Sequence, residues 1–195
     1  MAKTISEEQR KKISESMKGG GMTHDELVEV ARTWLLNGYN YEARKQKCAV
    51  VVTELVSAGE TPDALGWNPS FSWLVECKTS RGDFLADQKK YHRRNPKKGL
   101  GNFRYYLCEP DMISADELPE NWGLLYARGK RVEVHKVAEC QEAHWRSERT
   151  IFVSLLRRIG LNAPQGVNIK CYTMQTPGTP KASLTLNQQE MDLGA

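Results

Sequence analysis

Residues 71–78 read Phe-Ser-Trp-Leu-Val-Glu-Cys-Lys, and this run decides the fold. Its apolar side chains fall on both faces of an extended chain, which is typical of a strand buried in the middle of a sheet. Upstream, a Gly-Glu-Thr-Pro turn precedes a second short strand over residues 63–67. Downstream, Ser80 and Asp83 have the spacing of a capped helix start, and the pattern predicts a helix to about Arg94. A central strand with a helix directly after it is therefore the centre of the fold.

The rest of the core alternates helices and strands. A helix begins at Thr23, whose spacing from Glu26 is that of a capping box, and Gly38 is expected to end it. The other predicted elements are strands over residues 48–56, 103–108, 122–127 and 131–137 and a last amphipathic helix that stops at Gly160. The predicted fold class is therefore α/β, a central mixed β-sheet flanked by α-helices.

Composition divides the chain into three segments. Residues 1–21 are predicted to be a basic helical arm, in which Ser6 and Gln9 form a capping box and three glycines end the helix. Residues 22–160 form the core. Residues 161–195 turn to Pro, Gly, Thr, Gln and Asn with little pattern, and we expect a disordered C-terminal tail there.

The bulk composition limits the class of protein. The chain has 195 residues, of which 39% are hydrophobic and 27% charged, as in one globular domain with appendages. Five scattered cysteines without a CxxC pair argue against a disulfide framework and against a zinc knuckle. No apolar run is long enough for a membrane span, and the N-terminus lacks the apolar stretch of a secretory signal. The expected compartment is the cytoplasm.

Positive charge is concentrated in one stretch. The net charge is only +4, but residues 81–104 hold eight Lys or Arg against two acids, with aromatic residues between them. Such a stretch suits a polyanion such as nucleic acid. A solvated helix face followed by a charged loop is the alternative. The candidate nucleic-acid contacts are Lys89, Lys90, Arg93, Arg94, Lys97 and Lys98.

Three charged residues are expected to meet at one end of the sheet. Glu76 and Lys78 share a strand face because they are two residues apart, and Asp63 opens the neighbouring strand after a tight turn. Burying these charges is costly unless they pair or bind a cation. The two carboxylates, with the backbone carbonyl of Cys77, suit Mg²⁺. Lys78 would orient or help to deprotonate an attacking water and stabilise charge on a phosphate. The alternative is a structural Glu–Lys pair at a strand edge.

Four segments within residues 53–137 resemble a known nuclease superfamily. They read TELVSAGETPDALG, VECKTSRGDFLADQKK, GLGNFRYYLCEP and LPENWGLLY. They are similar to the PD-(D/E)XK superfamily and, more narrowly, to the MmcB-like DNA-repair endonucleases of phages and bacteria. The resemblance implies a restriction-endonuclease-like core and a Mg²⁺-dependent DNA endonuclease, for which Mn²⁺ can substitute. It also implies that Asp63, Glu76 and Lys78 occupy the catalytic signature positions.

Other residues are secondary candidates for the same site. Glu54 is expected close to Asp63 across the turn, and a salt bridge to an arginine is an equal alternative. Gln88 lies on the apolar face of its helix, where members of the superfamily often carry a glutamine, although its spacing to Tyr91 departs from their motif. Glu26 flanks the apolar stripe of the first helix, and a capping role is its alternative. None of the four histidines is assigned a catalytic role.

Residues 5–20 resemble the short modular DNA-binding motif of homing endonucleases, through SEEQRKKISESMKG. The resemblance implies a helix lying along DNA, with Lys11, Lys12 and Lys18 contacting phosphates. A lysine-rich helical lead-in is the alternative. The expected partner is DNA, with no membrane. A homodimer stays open, because double-strand cutting favours one although no sequence feature shows it. The alternative function is a non-catalytic or structure-specific DNA-binding protein on the same fold.

Overall fold

The structure of the chain is a computed structural model that describes residues 21–41, 44–55 and 60–161. The predicted arm, with Lys11, Lys12 and Lys18, and the predicted tail lie outside these residues, apart from Gly21 and Leu161. The chain divides into two compact units, Met1–Thr150 and Ile151–Ala195. In the described part of the chain, no helix combines the length and the apolar content needed to cross a membrane.

Eight strands and four α-helices make up the described structure. In chain order the strands are β1 (Tyr39–Tyr41), β2 (Arg44–Gln46), β3 (Val50–Thr53), β4 (Ala64–Trp67), β5 (Ser72–Cys77), β6 (Phe103–Cys108), β7 (Gly123–Arg128) and β8 (Arg131–Lys136). The helices are α1 (His24–Asn37), α2 (Arg81–Asp87), α3 (Tyr91–Arg94) and α4 (Trp145–Leu161). Short 3₁₀ turns cover Pro96–Lys98 and Ala115–Glu117.

Strands β3 to β8 form one mixed sheet whose spatial order equals their chain order. β3, β4 and β5 are antiparallel neighbours, β5, β6 and β7 run parallel, and β8 returns antiparallel to β7. Strands β1 and β2 pair separately as an antiparallel hairpin that the sequence analysis did not predict. The predicted α/β class, a mixed sheet with flanking helices, is confirmed.

Helix α1 covers one face of the sheet and has the predicted caps. Glu26 Oε2 accepts the Thr23 backbone N–H at 2.8 Å, and Thr23 Oγ1 accepts the Glu26 N–H at 3.3 Å. At the other end Gly38, at a φ of 74°, donates its N–H to the Trp34 carbonyl at 2.9 Å. The buried stripe of the helix packs in one core cluster with sheet residues; this cluster includes Leu27, Ala31, Trp34, Leu35, Trp73, Val75, Tyr105 and Leu107. Burial of such side chains typically contributes about 1.5–3 kcal/mol each, so this face holds α1 in place.

Strand β5 is central, as the sequence predicts. All six of its residues are buried, between β4 on one side and β6 on the other. Cys77 and Cys108 are free and buried, which agrees with their interpretation as small core residues. Burial raises the pKa of the Cys108 thiol to about 12, so it stays neutral.

The single helix predicted after β5 is two helices, which corrects the prediction. α2 ends at Asp87 and α3 begins at Tyr91, because Lys90 takes an extended backbone with φ −61° and ψ 147°. In one continuous helix, at about 100° per residue, positions 87 and 93 would point about 120° apart. The break instead lets Arg93 Nε donate to Asp87 Oδ2 at 2.7 Å in the protein interior.

Strand β3 is shorter than the strand predicted over residues 48–56. It begins at Val50 and ends at Thr53, because Glu54 takes a left-handed backbone with a φ of 49° that cannot continue a strand. Residues 56–59 lie outside the described part of the chain. Glu54 still donates its backbone N–H to the Asp63 carbonyl at 3.1 Å.

Candidate active site at the ends of strands β4 and β5

The structure brings Asp63, Glu76 and Lys78 together. Asp63 directly precedes β4, which is antiparallel to β5 with Ala64 opposite Val75. This register sets the Asp63 carboxylate against the end of β5, where its Oδ2 accepts the Cys77 backbone N–H at 2.7 Å. Glu76 and Lys78 point to the same face, with Lys78 Nζ 3.2 Å from Glu76 Oε2. Two carboxylates and one amine therefore share one sheet end.

Burial gives these groups unusual acidities. The Glu76 and Lys78 side chains are only 1% and 4% exposed. Burial raises the pKa of Glu76 to about 7, helped by repulsion from Asp63 and opposed by the nearby Arg93 and Lys78 cations. Burial lowers the pKa of Lys78, but the charges of Glu76 and Asp87 outweigh it, so the net pKa is raised. Lys78 is therefore a cation at neutral pH.

Asp87 forms a second buried layer behind Lys78. Its Oδ1 lies 3.5 Å from Lys78 Nζ and 2.6 Å from Lys90 Nζ. Its Oδ2 accepts from Arg93 Nε and from the Tyr106 hydroxyl, each at 2.7 Å. Burial opposes the Asp87 charge, but the Arg93 guanidinium, with the two amines, holds the pKa of that carboxyl well below its usual range. A permanently ionised Asp87 thus fixes the position of the Lys78 amine.

Arg93 connects this layer to Glu76 and to the segment before β4. Its side chain is 2% exposed, and its guanidinium pairs with Glu60 as well as with Asp87. Its Nη2 also lies 3.1 Å from Glu76 Oε1. The sequence predicts Arg93 as a nucleic-acid contact, whereas in the structure its guanidinium is buried and paired with three carboxylates. The other five predicted contacts, Lys89, Lys90, Arg94, Lys97 and Lys98, are exposed.

The charges of the cluster do not balance. Five carboxylates form ion pairs here, and their permanent cationic partners are three; the carboxylates are Glu54, Glu60, Asp63, Glu76 and Asp87, and the cations are Lys78, Lys90 and Arg93. His24 and His92 are the other partners. In addition, Glu76 Oε1 is a buried oxygen without a hydrogen bond, because Arg93 approaches it at an unfavourable angle. Such an oxygen and an excess of negative charge fit a bound divalent cation.

The fit to a metal is incomplete in one respect. Among the described residues, no three His, Cys, Asp or Glu side chains are already disposed around a common metal position. A cation at this place would therefore rest on Asp63, Glu76 and the Cys77 carbonyl, with water and phosphate oxygens filling the remaining positions. This ligand set is ordinary for Mg²⁺, which typically keeps several waters and uses only one or two carboxylates.

The secondary candidates separate into two groups. The Glu54 carboxylate comes close to the site, since its Oε1 and Asp63 Oδ1 lie 3.9 and 3.6 Å from the same His24 Nε2. Glu26 acts as the capping residue of α1, where the Thr23 backbone hydrogen bond lowers its pKa. The Gln88 amide donates to the Glu117 carbonyl at 2.9 Å, so the structure places it against the backbone and not in the cluster.

Sequence reasoning missed several members of the cluster. His24 received no role, although it is the first residue of α1 and faces the Asp63 carboxylate. Asp87 was counted only as one of the two acids of the basic stretch and Arg93 only as a nucleic-acid contact, although Asp87 is three residues from the buried Phe84 on α2. That helical spacing is a signal for burial. No local pattern points to Glu60, which meets Arg93 from 33 residues away.

The architecture and the cluster together define an α/β protein with buried acidic and basic groups at the ends of adjacent strands. No family model matches the chain, and no curated protein matches it. One similar solved structure is SPO1766, a protein of unknown function from Silicibacter pomeroyi. The two chains are 28% identical over 62% of this chain and 84% of that one, with a TM-score of 0.44.

Proposed function

We propose that the chain is a metal-dependent DNA endonuclease with a restriction-endonuclease-like core, which hydrolyses phosphodiester bonds. The observation that carries the proposal is the meeting of Asp63 and Glu76 at adjacent strand ends with the Lys78 amine 3.2 Å from Glu76. Two carboxylates that can hold a divalent cation, beside a protonated amine, suit metal-assisted phosphodiester hydrolysis. The resemblance of residues 53–137 to PD-(D/E)XK nucleases supports the same function.

Asp63, Glu76 and the Cys77 carbonyl would hold Mg²⁺, or Mn²⁺ in its place. The metal would supply a water of lowered pKa and polarise the phosphate. Asp63 contributes one oxygen that is free of backbone hydrogen bonds, since only its Oδ2 accepts the Cys77 N–H. Glu76 contributes the buried oxygen that lacks a hydrogen bond. Each carboxylate thus offers the metal an oxygen without breaking an internal hydrogen bond.

Lys78 acts as a cation in this proposal. Because its pKa is raised, the amine is protonated at neutral pH and cannot remove a proton from water. It can donate hydrogen bonds to a phosphate oxygen and stabilise the negative charge that develops there. The Asp87 carboxylate, 3.5 Å from the amine, limits where the amine can point.

The exposed lysines and arginine after β5 would hold the DNA backbone. Lys89, Arg94, Lys97 and Lys98 are exposed and follow the site directly in the chain. No acidic residue occurs between Asp87 and Glu109 to oppose their charge. Contacts of this kind give affinity without sequence preference.

A DNA-binding protein without turnover is the second candidate function. One observation favours it: both oxygens of Glu76 already lie within 3.2 Å of a cation, Lys78 or Arg93. An internal ion-pair network of this kind neutralises the carboxylate without a metal. The two functions differ in whether Mg²⁺ binds at the cluster.

The test is cleavage of supercoiled plasmid and labelled duplexes with Mg²⁺ or Mn²⁺, comparing wild type with Asp63→Asn and Lys78→Met. Matched controls are Asp116→Asn and Lys130→Met, which change the same residue types at exposed positions outside the cluster. We expect cutting that needs metal, is lost in both site variants and persists in both controls. Absence of cutting on every substrate, with DNA binding retained and no Mg²⁺-dependent rise in melting temperature, would establish the binding protein instead.

A further inference from the structure

Tyr91 is an exposed aromatic residue within the basic stretch of the chain. Tyr91, the first residue of α3, is 66% exposed, the highest value among the large hydrophobic side chains of the described residues. Its exposed basic neighbours in the chain are Lys89, Lys90, Arg94, Lys97 and Lys98. The tyrosines of β6, Tyr105 and Tyr106, are completely buried, so they do not share this surface.

The backbone under Tyr91 is held firmly. Arg93, two residues along, is buried and paired with Asp87, Glu76 and Glu60. The Tyr91 carbonyl accepts a hydrogen bond from Asn95 Nδ2 at 2.8 Å. The backbone that carries the ring is therefore held in place, which lowers the entropic cost of using Tyr91 in binding.

Tyr91 also follows directly after a residue that is linked to the candidate site, Lys90. Asp87 Oδ1 contacts both Lys90 and Lys78, so the two amino nitrogens are no more than about 6 Å apart. Tyr91 is the residue next to Lys90. The segment that carries Tyr91 therefore begins at a lysine whose amine shares the Asp87 carboxylate with Lys78.

We propose that Tyr91 stacks on an unpaired base, and that the substrate is single-stranded or locally unpaired DNA near the cut. This inference rests on the proposed function for the identity of the polyanion. In a paired duplex each base face is covered by its neighbours, so a tyrosine can stack only on a base that has left the helix. The lysines and Arg94 bind the phosphates, and Tyr91 selects DNA whose bases are exposed.

The experiment measures binding of the full chain in EDTA, so that no cleavage is required. The probes are 2-aminopurine oligonucleotides as a single strand, a paired duplex, and a duplex with a short unpaired bubble. The variants are Tyr91→Ala and Tyr91→Phe, with Leu85→Ala as a control for loss of an exposed apolar side chain, 45% exposed on α2. Circular dichroism checks that each variant is folded.

We expect Tyr91→Ala to weaken binding of the single strand and the bubble about ten-fold, as loss of one base–aromatic contact does, and to leave the paired duplex within about two-fold. Tyr91→Phe should keep wild-type affinity, and 2-aminopurine quenching should disappear only in Tyr91→Ala. An equal loss on all three probes, or none, overturns the inference. Because cleavage is not measured, this pattern can hold in a protein that does not cut, and it can fail in one that does.

Discussion

At the scale of single residues, Glu76 is a buried carboxyl group that contacts two cations and is repelled by a neighbouring carboxylate. It is 1% exposed, with Lys78 3.2 Å from one oxygen and Arg93 3.1 Å from the other. Burial and repulsion from Asp63 still raise its pKa to about 7. Near neutral pH a proton therefore competes with Mg²⁺ for this carboxylate, and metal binding should release that proton.

The raised pKa of Glu76 predicts how stability depends on pH in EDTA. The folded pKa is about 7 and the ordinary value is 4.5, so between these pH values the folded protein holds more protons than the unfolded chain. The free energy of unfolding should therefore fall as pH rises from 4.5 to 7, by about 3 kcal/mol for this one group. Glu76→Gln should lose that fall, which urea unfolding at a series of pH values measures.

The comparison uses the change with pH and not the absolute stability, because Glu76→Gln also removes ion pairs. Glu139→Gln, at an exposed position on the chain after β8, should keep the wild-type dependence. If Glu76→Gln and wild type showed the same fall, Glu76 would be ionised throughout this range and its two cations would outweigh burial.

At the scale of elements, the break between α2 and α3 gives neighbouring arginines opposite roles. Arg93 is buried among Glu60, Glu76 and Asp87, whereas Arg94 is exposed. Removing Arg93 leaves buried carboxylates without their cation, which strongly destabilises the folded protein. Removing Arg94 changes only the surface.

We predict that Arg93→Ala lowers the free energy of unfolding by about 3–5 kcal/mol, the usual cost of breaking a buried ion pair. Arg94→Ala should change it by no more than about 0.5 kcal/mol, as at most surface positions, yet weaken DNA binding. Urea unfolding and DNA titration at fixed salt measure the two effects.

A conservative replacement sharpens this comparison. Arg93→Lys should recover only part of the stability, because one ammonium group cannot reach three carboxylates as the planar guanidinium does. Equal stability of the Arg93→Ala and Arg94→Ala proteins would contradict the burial of Arg93.

The elements with local signals were predictable from the sequence. The capping box of Thr23 and Glu26, the terminating Gly38 and the apolar run of β5 each act within a few residues, and the structure has all three. The β1–β2 hairpin was not predicted, since its strands are only three residues long. The α2–α3 break was missed because the ion pairs of Arg93, including one with Glu60, decide it, and no propensity near residue 90 does.

Some residues of the candidate site were likewise predictable from the sequence, and others were not. Asp63, Glu76 and Lys78 could be grouped from the sequence, because strand alternation and a tight turn fix their faces. Asp87 carries a charge that a sequence pattern assigns to solvent, and only the packing of Tyr106 and Arg93 around it explains its burial. His24 meets Asp63 through the docking of α1 on the sheet, which is a contact across 39 residues that spacing does not encode.

At the scale of the whole molecule, the distribution of charge matters more than its sum. The net charge is only +4, but residues 88–108 contain seven Lys or Arg and no acid. Two of the seven, Arg93 and Arg104, are buried in the structure. Arg104 donates to the backbone carbonyls of Gly99, Gly101 and Glu142. Five cations remain at the surface, on the segment that follows Asp87 in the chain.

If these surface cations bind DNA phosphates, the DNA affinity should depend on salt, and part of that dependence should come from each side chain. Lys97→Ala with Lys98→Ala should weaken DNA binding for every sequence and reduce the slope of log K against log salt by about two, since each phosphate contact contributes about 0.9. Titrations between low and moderate salt measure the slope. The control is Lys130→Ala with Arg131→Ala, which removes two exposed charges from the β7–β8 turn and should leave the slope unchanged. If both double variants lowered the slope equally, DNA would be responding to net charge alone, and the basic stretch beside the site would not be its binding surface.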